Sequence, residues 1–256
     1  MFTDGMRSAR SLAIILVVHL AVIVLWQVLV DAFHVPKFVL PSPLATVATL
    51  TSAKYAWLSN LAVTAVEILG GFALGAFVGV ALAVLFCWSP LLSLLLLPLF
   101  VTLNMIPKVA LGPLFIVWFS YGIFPNILIA FSICFFPILL TTARGLNEVE
   151  PDLLDLVKSL RGSRWTLFRK IQLPGALPYV FSGMKVGAIL AVAGAIVGEF
   201  LGSDRGLGYL MLQVQVTLDT AAMFMAVILI TLIGVVLYGM VLALEHMLVP
   251  RDARIS

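Results

Sequence analysis

Apolar residues run in long unbroken stretches along this chain, and polar residues cluster between them. A bilayer core takes about 20 consecutive, mostly apolar residues in a helix. Six stretches are candidates for such a span: Leu12–Val30, Leu61–Phe86, Leu91–Phe119, Asn126–Thr142, Tyr179–Leu201 and Ala222–Leu248. The third is interrupted by Pro98, Pro107 and Pro113, so it is either one kinked helix or a helix followed by a re-entrant piece. Proline frees backbone groups that lipid cannot satisfy. This stretch is therefore expected inside the bundle or along a wet path. Between the first two runs, Leu40-Pro41-Ser42-Pro43 supplies a capping serine and a proline suited to a first helical position. With Leu44, Val47, Ala48 and Leu50 following, it predicts an interfacial helix over 43–58 on the outer side. The expected fold is all-α: a polytopic membrane helix bundle of about six transmembrane helices, forming a single domain over 1–256.

Composition agrees. Of 256 residues, 62% are hydrophobic and 11% charged, against roughly 45–50% and 25% in soluble domains. The first apolar run is too long for the core of a signal peptide and no A-x-A-like cleavage site follows it, so it reads as an uncleaved first helix. The net charge of +3 matters through its placement. With the N-terminus inside, six spans gather Arg7, Arg10, Arg144, Lys158, Arg161, Arg164, Arg169, Lys170, Arg251 and Arg254 on the cytoplasmic side. Lys37, Lys54 and Arg205 are left outside. That asymmetry follows the positive-inside rule and puts both termini in the cytoplasm. No basic, aromatic-interleaved surface suggests nucleic acid. Cys87 and Cys134 lie in apolar runs without metal-ligand spacing.

The one long charged segment, Arg144 to Pro178, carries Glu148, Glu150, Asp152 and Asp155 beside its basic residues. Pro151 with Asp152 and Asp155 favours a helix start. Leu153, Leu154, Leu156, Val157 and Leu160 give that helix one sticky face, and Arg161-Gly162-Ser163-Arg164 turns it. A second helix is predicted from Trp165 to Ile171, stopped by Leu173-Pro174. The product is a helix–turn–helix feeding a spanning helix, a shape suited to transmitting a push from a cytoplasmic partner.

These residues carry a resemblance. The stretch from Asp152 to Lys185 is similar to the EAA loop of type I ATP-binding-cassette importer permeases, the MetI-like fold. Asp155-Leu156-Val157 takes the E-A-A place and Leu173-Pro174 the L-P place. The family glycine falls at Arg161, with Gly162 one residue late, which leaves the shape of the turn open. Leu40–Pro43, the glycine-rich second span, Ile106–Phe119 and Gly198–Leu210 resemble the nitrate, sulfonate, taurine and bicarbonate branch, which includes pyrimidine- and riboflavin-precursor permeases. The branch carries a basic residue where this chain has Glu67. The resemblance implies a bacterial inner-membrane permease that moves a small solute by alternating access. Its implied partners are a second copy of itself, two cytoplasmic ATPase subunits and an extracytoplasmic solute-binding protein. ATP and Mg would be held by the ATPases and no cofactor by this chain. Asp155, Ser159, Leu160, Arg161, Gly162, Ser163 and Arg164 are the residues it marks for ATPase docking.

The spans hold further candidates. Gly71, Gly75 and Gly79, then Gly183 and Gly187, then Gly194, Gly198 and Gly202 recur every four residues. Such spacing suits close helix packing within one subunit, or else a dimer contact. Ionisable groups inside a membrane are costly and face a cavity or a partner. Glu199 is a gate, a structural hydrogen bond or a substrate contact. Glu67 either joins the substrate path or reaches interfacial water. Lys108 attracts an anionic solute or snorkels, and Asn104 is a further pathway candidate. No G-x-x-x-x-G-K-[ST], H-E-x-x-H or G-x-S-x-G motif occurs, so nothing supports enzymatic chemistry. A secondary transporter, driven by an ion gradient, would leave the charged loop unexplained.

Overall fold

The computed structural model describes residues 2–149 and 151–250, with side chains from Ala13 onward except those of Pro151, Leu154, Leu156 and Lys158. The side chains of Arg7 and Arg10, residue Glu150, and the basic tail at Arg251 and Arg254 lie outside that description. The chain divides into two compact units, Met1–Trp57 with Leu210–Ile228, and Leu58–Tyr209 with Leu229–Ser256.

In the first unit, α1 (Phe2–Ala32) exposes almost every side chain between Ile14 and Leu29, as a helix bathed in lipid does. Helix α2 (Pro43–Ala48) is capped by Ser42, whose Oγ accepts the Ala45 N–H at 3.2 Å. The stretch 43–58 is not one helix: two 3-10 turns, Thr49–Thr51 and Ala53–Tyr55, follow α2. The hydroxyls of Thr49 and Thr51 donate to the carbonyls of Thr46 and Ala48, and such local bonds compete with continued helix. Asp219 ties the unit together. It accepts from the Tyr55 hydroxyl at 2.5 Å and from Lys54 at 3.3 Å, and caps the first turn of α11 (Thr220–Leu248) through the Ala222 N–H. Burial alone would push its carboxyl up. The bonds from Tyr55, Ala222 and Lys54 outweigh that and hold it below the usual carboxylate range.

The second unit is built around α6 (Ile123–Asn147), which is buried along most of its length. One side of it receives α3 (Trp57–Trp88) and another receives α9 (Leu173–Gly202). Glycines make both approaches possible. A Cβ on Gly71 would lie 2.4 Å from Ala130 Cβ, and one on Gly75 would lie 2.5 Å from Cys134 Sγ. On the other side, a Cβ on Gly194 would sit 2.7 Å from Ala130 Cα, and one on Gly198 2.7 Å from Asn126 Oδ1. The glycine repeats are therefore packing ridges inside one subunit.

The same contacts fix direction. Gly71, Gly75 and Gly79 meet successively later residues of α6, while Gly183, Gly187, Gly194 and Gly198 meet successively earlier ones. Helices α3 and α6 thus run parallel, and α9 runs antiparallel to both. Parallel neighbours require the chain to return between them. That return is made by α4 (Pro90–Asn104) and α5 (Gly112–Phe119), joined through a 3-10 turn at Lys108–Leu111 and bent by 90°. The broken stretch is thereby one bent crossing. Two of its three prolines serve the break: Pro107 precedes the 3-10 turn and Pro113 stands in the first turn of α5, whereas Pro98 lies inside α4 without interrupting it. Among the described residues, five continuous helices are long and apolar enough to span, and the bent pair makes a sixth.

Candidate functional site

The charged segment leaves α6 with Arg144 and Glu148 paired at 3.1 Å one turn apart. The Arg144 bond, followed by one from Tyr179, holds the Glu148 carboxyl below its ordinary range. Helix α7 (Pro151–Ser159) then closes in a Schellman turn: the Gly162 N–H donates back to the Val157 carbonyl at 2.8 Å. Arg161 takes the left-handed position of that turn, with φ 50°. A glycine normally stands there, because a side chain in this region costs about 1 kcal/mol. The turn therefore keeps the shape a family glycine would give, at the cost of mild strain. Gly162 is needed for a different reason, since a Cβ there would lie 2.6 Å from Val157 Cγ1. Ser163 caps α8 (Arg164–Leu167) through the Thr166 N–H at 3.2 Å.

The predicted stop at Leu173-Pro174 does not occur. Helix runs without interruption from Arg164 to Gly202. A π turn at Phe168–Gln172 widens the path just before Pro174, and the Leu173 N–H reaches back to the Phe168 carbonyl. One extra residue in the turn passes the chain around a proline that has no N–H to give. The segment is thus stiffly continuous with a core helix. Trp165 and Phe168 pack with Trp88 at the end of α3, with ring centroids 5.4–5.9 Å apart. Beside them lies a cavity of about 150 Å³ lined by Cys87, Trp88, Arg164 and Gln172. The outer side of α7 is uncovered: Asp155, Ser159, Arg161, Ser163 and Arg164 are exposed. Leu160 is 73% exposed, a large apolar residue facing outward at the tip.

The membrane-embedded candidates separate into two places. Lys108 donates to the Asn104 backbone carbonyl and, at 2.8 Å, to its side-chain oxygen. Its ammonium therefore caps the C-terminal end of α4 at the 90° bend, where a cation complements the helix dipole. It also lies 4.9 Å from the Phe136 ring centre. Glu67 and Glu199 instead meet deep between α3, α6 and α9, 0% and 1% exposed, so Glu67 does not reach interfacial water. Glu199 accepts from the Thr64 hydroxyl at 2.5 Å and from the N–H groups of Gly208 and Tyr209, which open α10 (Leu207–Val216). Thr64 in turn accepts the Leu207 N–H at 2.8 Å, and Asn60 accepts the Gly206 N–H at 2.9 Å. Glu67 accepts from Asn126 Nδ2 at 2.9 Å.

Sequence reasoning missed Asn60, Thr64 and Asn126, and also the buried pair Lys185–Glu245, 3.1 Å apart between α9 and α11. For the pair a signal existed: each is a charge inside an apolar span. For the three polar residues there was none, since short polar side chains are common in spans.

The family model for the inner membrane component of binding-protein-dependent transport systems matches residues 71–249. The chain belongs to this family. A probable ABC transporter permease of Haemophilus influenzae is 35% identical over 217 residues, 84% of this chain and 88% of that protein. The riboflavin transport system permease RibX of Chloroflexus aurantiacus is 33% identical, covering 90% of this chain and 87% of its own. The formylaminopyrimidine transport permease ThiX of Halalkalibacterium halodurans is 30% identical, covering 90% and 92%. An inward-facing MetNI methionine transporter shares the fold, with TM-score 0.53 over 76% of this chain and 94% of that one, at 22% identity. The chain is accordingly the permease subunit of an ABC importer, a multi-pass transport component of the inner membrane, and not an enzyme. A permease of this family works with an ATPase and a solute-binding protein.

Proposed function

We propose that two copies of this permease form the translocation path and that two ATPase subunits, which bind ATP and Mg, drive it through the α7–α8 segment. The observation that carries this reading is the outward-facing Leu160 at the tip of a charged turn that continues as one helix into the core. An apolar anchor ringed by Asp155, Ser159, Arg161, Ser163 and Arg164 suits docking into a partner groove. A stiff helix behind it converts a push at the tip into rotation of α9. Gly162 supports the dock by shaping the turn. Both termini and this segment lie in the cytoplasm, a reading supported by the Lys and Arg distribution.

The solute is small. Relatives are named for aliphatic sulfonates, nitrate, riboflavin and formylaminopyrimidine, and the choice among such solutes falls to the binding protein. Asn104 and Lys108, at the 90° bend, line the path; Glu67 and Glu199 support its wall from behind. The reading is tested by purifying the permease in mild detergent with its ATPase and comparing Leu160→Glu. Wild type should retain the ATPase in equal copies and the variant should lose it, with uptake lost in cells. Full uptake by the variant would overturn the docking role.

A further inference from the structure

We propose that the bundle stores one proton between Glu67 and Glu199, carried on Glu67, and that this proton keeps the first turn of α10 seated on α3 and α9. The inference holds whichever solute the permease moves.

Glu199 is already supplied with donors. Thr64 gives its hydroxyl hydrogen to Oε1, while Gly208 and Tyr209 give theirs to Oε2. These bonds suit an ionised carboxylate. Glu67 has one donor only, Asn126 Nδ2 on Oε1. Its Oε2 is buried with no partner, and so is Asn126 Oδ1. Glu67 stands one turn beyond Thr64 on α3, and its donor Asn126 lies against Gly198, next to Glu199, so the two carboxyls share one buried site. Two carboxylates in one dry site cannot both stay ionised without a cation.

No cation serves them among the described residues. On α9, Lys185 lies about four turns away and is paired with Glu245 of α11. Lys108 is bound to Asn104. On α6 the basic residue is Arg144, at the far end and paired with Glu148. In the connection to α10, Arg205 and Asp204 pair with one another at 3.7 Å in the open. From α10 itself, Tyr209 faces the pair through its backbone N–H. A proton on Glu67 removes the second negative charge and turns the orphaned Oε2 into a donor. Two acceptors stand ready for it, Glu199 and Asn126 Oδ1.

Removing the proton places two anions side by side. Glu199 then withdraws from Gly208 and Tyr209, and the Thr64 bridge to Leu207 goes with it. Loss of that proton as pH rises therefore loosens the first turn of α10.

The test uses the full-length permease in lipid nanodiscs. Infrared spectra at neutral pH should show a protonated-carboxyl stretching band that is lost in Glu67→Gln. Raising the pH from neutral into the alkaline range should lower the wild-type melting midpoint by about 2–4 °C more than that of Glu67→Gln. Glutamine at 67 offers the same neutral donor and acceptor, so Glu67→Gln should fold and melt as wild type does at neutral pH. Glu199→Gln should instead speed hydrogen exchange at Leu207–Tyr209. Absence of the band in wild type, equal alkaline losses in both proteins, or a Glu67→Gln variant as unstable as Glu199→Gln would each overturn the proposal.

Discussion

Helices α6 and α7 are neighbours in sequence and opposites in packing. Helix α6 is enclosed by glycine ridges on α3 and α9 that bring backbones nearly into contact. Helix α7 stands out from the bundle, and its described side chains are exposed or half-buried. The first arrangement gives a core that yields little locally, because the glycines already meet backbone atoms or side chains packed against them. The second leaves an apolar tip without an internal partner. A transporter needs both: a rigid body to be moved and an accessible handle to move it by. The π turn at Phe168–Gln172 joins them without a break in the helix.

Four substitutions break or sharpen this contrast. Gly194→Leu should do most damage, since a Cβ there would already lie 2.7 Å from Ala130 Cα. Overpacking against backbone costs about 3 kcal/mol or more, and the expected result is aggregated protein by size exclusion. Lys185→Met should cost about 3–5 kcal/mol, because it strands Glu245, only 3% exposed, without its partner. The double change Lys185→Met with Glu245→Met should recover most of that melting temperature, whereas an unchanged melting temperature in Lys185→Met alone would show that the pair contributes nothing. Arg161→Gly should stabilise the α7–α8 turn by about 1 kcal/mol by relieving its left-handed φ, read as slower proteolysis within the segment. Leu160→Glu should change stability least, within about 0.5 kcal/mol, yet abolish ATPase association. A large fall in its melting temperature would mean that Leu160 belongs to the core and not to a docking surface.

Much of the fold was legible in the chain. Lipid admits few ways to satisfy a backbone, so apolar length alone locates helices. The α7–α8 turn was legible for the same kind of local reason: Asp152, Ser163 and Gly162 each act within a few residues. The π turn escaped because Pro174 reads locally as a stop, and only the tertiary hold on α9 carries the helix past it. The functional reading rested on the charged segment and on its resemblance to the EAA loop. The polar centre was half legible. Glu67 and Glu199 announced themselves as charges in spans, but nothing local pairs them with Thr64, Asn126 and the start of α10.

The sequence by itself determined where most helices lie, which residues lipid would accept and that the charged part of Arg144–Pro178 is kept out of lipid, because these depend on transfer free energies summed over neighbouring residues. Tertiary structure decided what stands next to what. It set α3 parallel to α6 and thereby made the proline-broken stretch a full crossing. It turned Glu67 from a surface candidate into a buried partner of Glu199, and it gave Lys185 its counter-charge on another helix. Those last two outcomes join residues 60 or more positions apart, and no local pattern encodes the distance between them.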